Sequence, residues 1–119
     1  MSKESKEFIQ EMLKFFPSTY NSYEESVSRF GEVLETVIIE DIFMPEIIKL
    51  LREGENIKLI KNIFNYFEEV SNCGDSHLIN IFSITVLEIL VDDRDILDIA
   101  QKYIGPKTMG LFDEVIQGI

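Results

Sequence analysis

The chain has one cysteine, one histidine and no tryptophan among its 119 residues. A single cysteine cannot form an internal disulfide, so Cys73 excludes a disulfide-stapled scaffold and is typical of a reducing compartment. Zinc sites need about four clustered ligands, and Cys73 and His77 have no second Cys/His pair to complete such a set. The sequence therefore predicts a fold held by its own core, with no metal and no cofactor.

Basic residues are also scarce. Eleven lysines and arginines stand against 22 aspartates and glutamates, which gives a net charge of −11. Such a chain repels phosphate backbones and anionic lipid, so we expect neither nucleic acid nor membrane as a partner. The charge exceeds the magnitude of about 2–8 usual for a small soluble domain. Plain solubility and steering toward a basic partner explain this surplus equally well.

Long apolar runs are missing as well. The most apolar segment, 81–91, is interrupted by Ser83, Thr85 and Glu88 and is far shorter than the roughly 20 residues of a membrane span. The charged stretch 1–7 does not resemble a signal peptide. We therefore expect a cytoplasmic protein. With 45% hydrophobic residues and no internal linker, residues 1–119 are predicted to form a single helical domain.

Apolar residues recur at helical spacing along nearly the whole chain, without the alternation or the Asn-Gly and Asp-Gly turns of hairpins. This pattern predicts an all-α fold, either a single-domain bundle or a short solenoid-like stack of six to seven antiparallel helices. The segment 78–91 is apolar almost all round, which is typical of a helix covered on several sides.

Proline, glycine and capping residues predict where the helices begin and end. The expected interruptions lie at Pro17, at 41–44 before Pro45, at Gly54, and at Gly105-Pro106. The expected starts lie at Ser22 with a capping box to Glu25, at Asn56, at Asp75 or Ser76, and at Asp92, Asp93 and Asp95. Apolar residues from Val27 to Ile38 fall on one face, which favours one helix through that segment.

Glu88 lies within the most apolar helix, where an ionised carboxylate is costly unless it is paired. We expect it to be buried and hydrogen-bonded to Lys107, to Arg94, or to the free backbone N–H groups after Gly105. In this interpretation Glu88 is a structural residue.

No motif for catalysis stands out. The chain lacks the glycine-rich phosphate loops and the Gly-x-Ser-x-Gly elbow of known enzyme classes. A calcium loop counted from Asp93 fails, because Asp98 and Ile104 stand where glycine and glutamate are needed. Cys73 and His77 are four positions apart and leave a cysteine-dependent enzyme as a remote alternative.

Clusters of acidic residues, some beside tyrosines, are the candidate partner-binding residues. Carboxylates can steer a basic partner, and a neighbouring aromatic ring can anchor it. The candidates are Tyr23, Glu24, Glu25, Glu68, Glu69, Asp92, Asp93, Asp95 and Asp98.

Three stretches carry a resemblance to a known group of proteins: 63–69 (IFNYFEE), 87–90 (LEIL) and 103–108 (YIGPKT). They resemble a family of small, helical, uncharacterised bacterial proteins that look like immunity proteins of toxin–immunity systems. The resemblance covers 56–114 and brings no catalytic residues. The positions that match its motifs, Glu88, Gly105 and Pro106, are expected to determine the fold.

The resemblance implies an immunity protein that binds a cognate toxin and blocks it by occlusion, without being an enzyme itself. An acidic surface would suit a basic toxin domain. The alternative is a helical adaptor or regulatory protein that uses an exposed apolar groove and can self-associate.

Overall fold

All regular structure in the computed structural model, which describes residues 1–118, is helical. Seven helices account for it: α1 (Lys3–Phe15), α2 (Tyr20–Phe30) after a 3₁₀ turn (Pro17–Thr19), α3 (35–53), α4 (Ile57–Ser71), α5 (76–92), α6 (Arg94–Ala100) and α7 (Pro106–Gly118). The predicted all-α bundle is confirmed.

The first and fifth helices begin at one shared point. Ser2 caps α1, since its Oγ accepts from the N–H of Ser5 at 3.1 Å, and the same hydroxyl donates to Asp75 Oδ2 at 2.8 Å. Asp75 in turn accepts from the N–H of Leu78 and caps α5, as the sequence predicts. The hydrogen bonds from Leu78 and Ser2 lower the pKa of Asp75.

The expected helix from Ser22 through Ile38 is wrong, because two helices replace it. Helix α2 begins at Tyr20 directly after the 3₁₀ turn, and the side chain of its N-cap makes no capping hydrogen bond, so the Ser22 capping box is wrong too. The helix ends at Gly31, whose φ of +72° places it in the left-handed region that favours glycine. Its N–H donates to the carbonyl of Val27.

The expected break before Pro45 is also wrong. Helix α3 runs on through a π-helical turn, Ile39–Phe43, and continues as α-helix over Met44–Glu53. Pro45 has no N–H, and the N–H of Met44 bonds back to the carbonyl of Ile39, five residues earlier. A wide turn therefore absorbs the proline without ending the helix. Gly54 ends it, as expected.

Helix α5 contains the second π turn, Ser83–Leu87, which lies against the π turn of α3. Its inner face is fully buried, in agreement with the apolar pattern. The ring of Phe82 packs edge-on against Phe67 and Phe8, with centroids 5.2 and 6.2 Å apart. These contacts join α5 to α4 and α1 in one hydrophobic core.

The predicted carboxylate at the start of the last helix exists, but it is Glu68 and not Glu88. Glu68 accepts three hydrogen bonds of 2.9 Å, from the N–H groups of Lys107 and Thr108 and from the Thr108 hydroxyl. The Glu88 side chain is exposed, and its carboxylate makes no hydrogen bond or ion pair with any residue between 1 and 118. The prediction that Glu88 is buried and structural is therefore wrong.

Gly105 and Pro106 make this arrangement possible. A Cβ at Gly105 would lie 2.7 Å from the carboxyl carbon of Glu68, so a larger residue would displace the carboxylate. Pro106 is the first residue of α7, as expected, where its missing N–H costs nothing. The prediction that both residues determine the fold stays a prediction.

None of the helices described over residues 1–118 is both long and apolar enough to cross a membrane.

Candidate protein-binding surface

The two π turns leave an open depression where they meet at the surface. Its cavity volume is about 380 Å³. We call it the junction surface, and the residues that line it are Glu40, Ile84, Glu88, Ile89 and Asp92.

The junction surface combines apolar and acidic side chains. Ile84 is 44% exposed, although it belongs to the most apolar helix of the chain. Glu40, Glu88 and Asp92 are exposed, and no basic residue is among those lining the depression. Exposed apolar side chains together with charged ones are common in protein–protein interfaces.

The helical repeat explains why these residues share one face. Asn80, Ile84 and Glu88 are four residues apart along α5, and all three are exposed. The π turn between Ser83 and Leu87 is wider than an α turn, so side chains four residues apart stay more nearly in line. Glu40 reaches the same depression from the π turn of α3.

A second depression lies on the other side of the α3 π turn, between α2 and α3. This groove has a cavity volume of about 210 Å³. Its lining combines apolar, hydroxyl and charged side chains: Ser22, Glu25, Ser26, Arg29, Phe30, Val37, Asp41 and Ile42.

A third pocket, of about 200 Å³, surrounds the half-buried ring of Tyr66. Glu4, Glu7 and Glu69 line it together with Cys73. Burial raises the pKa of the Tyr66 phenol, and the neighbouring carboxylates, including Glu7 and Glu69, raise it further. The phenol therefore stays protonated and can donate a hydrogen bond at neutral pH.

The predicted cluster at Tyr23, Glu24 and Glu25 lies on α2. Tyr23 is half-buried against the core, while both glutamates are exposed. Glu24 accepts a hydrogen bond of 2.7 Å from the hydroxyl of Tyr20, and this bond raises the pKa of Tyr20. Of the three predicted residues, Glu25 reaches the groove between α2 and α3.

Two further predicted partner-binding carboxylates, Glu68 and Asp93, have partners within the fold as well. Glu68 holds the start of α7. Asp93 caps α6 by accepting from the N–H groups of Asp95 and Ile96, and it also forms an ion pair with Arg52.

The other acidic candidates, Glu69, Asp92, Asp95 and Asp98, are exposed. Of these, Asp92 lines the junction surface. Sequence reasoning missed Ile84 and Glu88 as surface residues, because a run of apolar residues gives no sign of which one faces out. The four-residue spacing of Asn80, Ile84 and Glu88 is the signal that could have found them.

Cys73 and His77 have different partners. The Cys73 sulfur accepts from the N–H of Asp75 at 3.4 Å, whereas His77 Nε2 lies 3.1 Å from Glu35 Oε1. Within residues 1–118, no hydrogen bond joins the thiol to the imidazole and no group of three potential metal ligands occurs.

Fold and surface together define a helical bundle with a surface depression lined by isoleucines and carboxylates. A family model matches residues 9–118, and its description reads "Domain of unknown function (DUF7674)". The chain belongs to this family, whose description names no activity and no partner. No curated protein and no solved structure matches the chain.

Proposed function

We propose that the chain is a non-enzymatic protein-binding module that recognises a basic protein. In the form that we favour, it is an immunity protein that neutralises a cognate bacterial toxin by covering the active site or another surface the toxin needs. The immunity role follows from the sequence resemblance, and the basic partner follows from the charge of the chain.

The observation that carries the proposal is the junction surface. A half-exposed isoleucine in the same depression as three exposed carboxylates offers an apolar anchor point together with complementary charge for lysine or arginine. Binding of the partner removes Ile84 from water, and the exposed carboxylates set orientation and encounter rate more than affinity.

The net charge of −11 supports the same partner at longer range. A field of one sign raises the rate at which an oppositely charged protein arrives, by factors of about 10 to 1,000. Repulsion among the like charges costs stability, and binding a basic partner relieves that cost.

The test begins with capture of partners from the native host, followed by deletion of the gene for this protein. Loss of the protein should make cells sensitive to the captured partner, because the partner is then no longer blocked. A captured partner that is harmless without this protein would rule out the immunity role.

The junction surface is tested with two matched isoleucine variants. Ile84→Asn should weaken binding of the captured partner at least about tenfold, because it replaces an exposed apolar side chain of the junction surface with an amide. Ile116→Asn is the control, since Ile116 is equally exposed at 41% but lies on α7. Equal losses in both variants would contradict the proposed surface.

One observation favours the alternative of a self-associating adaptor. Helix α2 buries none of its residues, and its Tyr20 and Phe30 are about half exposed. Sedimentation at rising protein concentration distinguishes the two functions. Salt would strengthen association between two chains of charge −11, whereas it weakens binding of a basic partner.

A further inference from the structure

We propose that the groove between α2 and α3 binds an arginine side chain of the partner protein. This inference rests on the proposed function, because it takes the partner to be a basic protein.

The hydroxyl of Ser26 lacks a hydrogen-bond partner. Its oxygen is buried, yet it has no hydrogen-bond partner among residues 1–118. A helical serine or threonine commonly donates to the carbonyl four residues before it. Ser71 and Thr85 do so in this protein, at 2.9 and 2.6 Å, and Ser26 does not.

A buried hydroxyl without a partner is costly, and few such groups occur in folded proteins. Ser26 lines the groove, so rotation about its Cα–Cβ bond can turn the buried hydroxyl toward a ligand group placed there, which supplies the missing hydrogen bond. The hydroxyl of serine can accept from an N–H donor.

The walls of the groove suit a side chain with an apolar stem and a cationic head. Phe30, Val37 and Ile42 provide apolar surface for the stem, and Phe30 is 48% exposed. Glu25 and Asp41 provide carboxylates for the head. The cavity of about 210 Å³ has the size of one long side chain and not of a peptide segment.

Arginine fits this set better than lysine. Its planar guanidinium carries five donors, which can serve a hydroxyl and two carboxylates at once, and it stacks on aromatic rings. Arg29 also lines the groove, but it forms no ion pair within the described part of the chain, and the two carboxylates outnumber it.

The groove and the junction surface share the π turn of α3. This turn contributes Glu40 to the junction surface, and its next two residues, Asp41 and Ile42, line the groove. A partner that covers this turn therefore contacts residues of both depressions.

The test uses the purified protein and three small probes, N-acetyl-arginine methylamide and its citrulline and glutamate counterparts, followed by amide chemical shifts in NMR. The arginine probe should bind with a dissociation constant of about 1 mM, as expected for a ligand of this size. Its shifts should centre on Ser26, Phe30 and Asp41. The uncharged citrulline probe should bind about tenfold more weakly, because it loses the charge-assisted hydrogen bonds.

A serine variant separates ligand binding from a structural role. Ser26→Ala should weaken the arginine probe at least about threefold while leaving the melting temperature equal or higher, because it removes an unsatisfied hydroxyl. Ser28→Ala, an exposed site on the same helix outside the groove, is the control and should change neither.

Three results would overturn the inference: tighter binding of the glutamate probe, equal binding of citrulline, or a Ser26→Ala variant that binds arginine as well as the wild type. None of them bears on the junction surface, which is tested separately with Ile84→Asn. Failure of this inference and failure of the proposed function are thus distinguishable.

Discussion

At the residue scale, Glu68 shows how one carboxylate fixes a helix start about 40 residues further along the chain. The residue is partly buried, which acts to raise its pKa. Hydrogen bonds from the Thr108 backbone, the Lys107 backbone and the Thr108 hydroxyl outweigh that effect, so the pKa is lowered. The ionised form therefore favours the folded state.

Glu68→Gln should lower the free energy of unfolding by about 1 kcal/mol at pH 7, the usual value of a capping carboxylate. Since folding lowers the pKa from its ordinary value of 4.5, this stabilisation is fully present above that value. It is lost as the pH falls through the pKa of the folded protein. Urea unfolding at pH 7 and pH 3 should show a larger difference between variant and wild type at the higher pH.

Glu69→Gln is the matched control for this experiment, because Glu69 is exposed and its carboxylate forms no hydrogen bond with the described residues. If Glu69→Gln lowered the free energy of unfolding as much as Glu68→Gln, then total charge, and not the contact with α7, would determine the loss of stability.

Gly105→Ala should destabilise the protein by about 1 kcal/mol, because the new methyl group displaces the Glu68 carboxylate. In a Glu68→Ala background the same substitution should be nearly neutral, since the atoms it would contact are gone. A double-mutant cycle by urea unfolding measures this coupling. Additive effects would show that Gly105 matters for another reason.

At the scale of elements, local signals in the sequence predict most helix starts. Asn56 and Asp75 cap helices and Pro106 begins one, as the sequence predicts. These positions are predictable because a helix start depends on residues within one turn. Gly31, which adopts a left-handed conformation, is also a local signal for a helix end. The apolar residues on either side of it share one helical face, however, so the sequence pattern favours a continuous helix there.

The two π turns could not be predicted in this way. A hydrophobic pattern is compatible with both an α and a π turn, and the choice depends on packing between α3 and α5, which are far apart in sequence. The sequence indicates that Pro45 disrupts regular α-helix. The structure accommodates it in a wide turn instead of a break, where the neighbouring residues Ile39, Phe43 and Met44 are buried.

Helix α2 should open far more readily than the rest of the molecule. It buries none of its residues, whereas α4 buries Ile60, Ile63, Phe64, Phe67 and Val70. Hydrogen exchange followed by mass spectrometry should show α2 amides exchanging at least about tenfold faster than those of α4. Equal protection of the two helices would contradict the loose attachment of α2.

At the scale of the whole molecule, composition predicts the acidic surface but not which carboxylates remain free. Glu68 and Asp93 are bound to residues about 40 positions away. The local sequence contains no pattern from which such contacts could be predicted. Glu88 is the converse case, since its apolar neighbours suggest burial while the helix turns it outward. The class of partner could thus be proposed from sequence, whereas the surface needed the structure.

Association with a basic partner should slow markedly as salt rises. The screening length falls from about 10 Å at about 0.1 M to about 3 Å at about 1 M salt, so steering by the net charge is lost. Stopped-flow mixing should show an association rate at least about tenfold lower at the higher salt, with a smaller change in the dissociation rate. An association rate that does not change with salt would show that electrostatic steering does not contribute to binding.

The most direct test of the acidic junction surface is the affinity of the captured partner for a double charge reversal, Glu88→Lys with Asp92→Lys. An equal reversal elsewhere, Asp113→Lys with Glu114→Lys, is the control, because both residues are exposed on α7. Isothermal titration calorimetry should show affinity at least about thirtyfold lower for the junction variant, as expected when like charges meet across an interface. The control should lose several-fold less. If both variants bind alike, the partner recognises total charge or another face, and the junction surface is not its binding site.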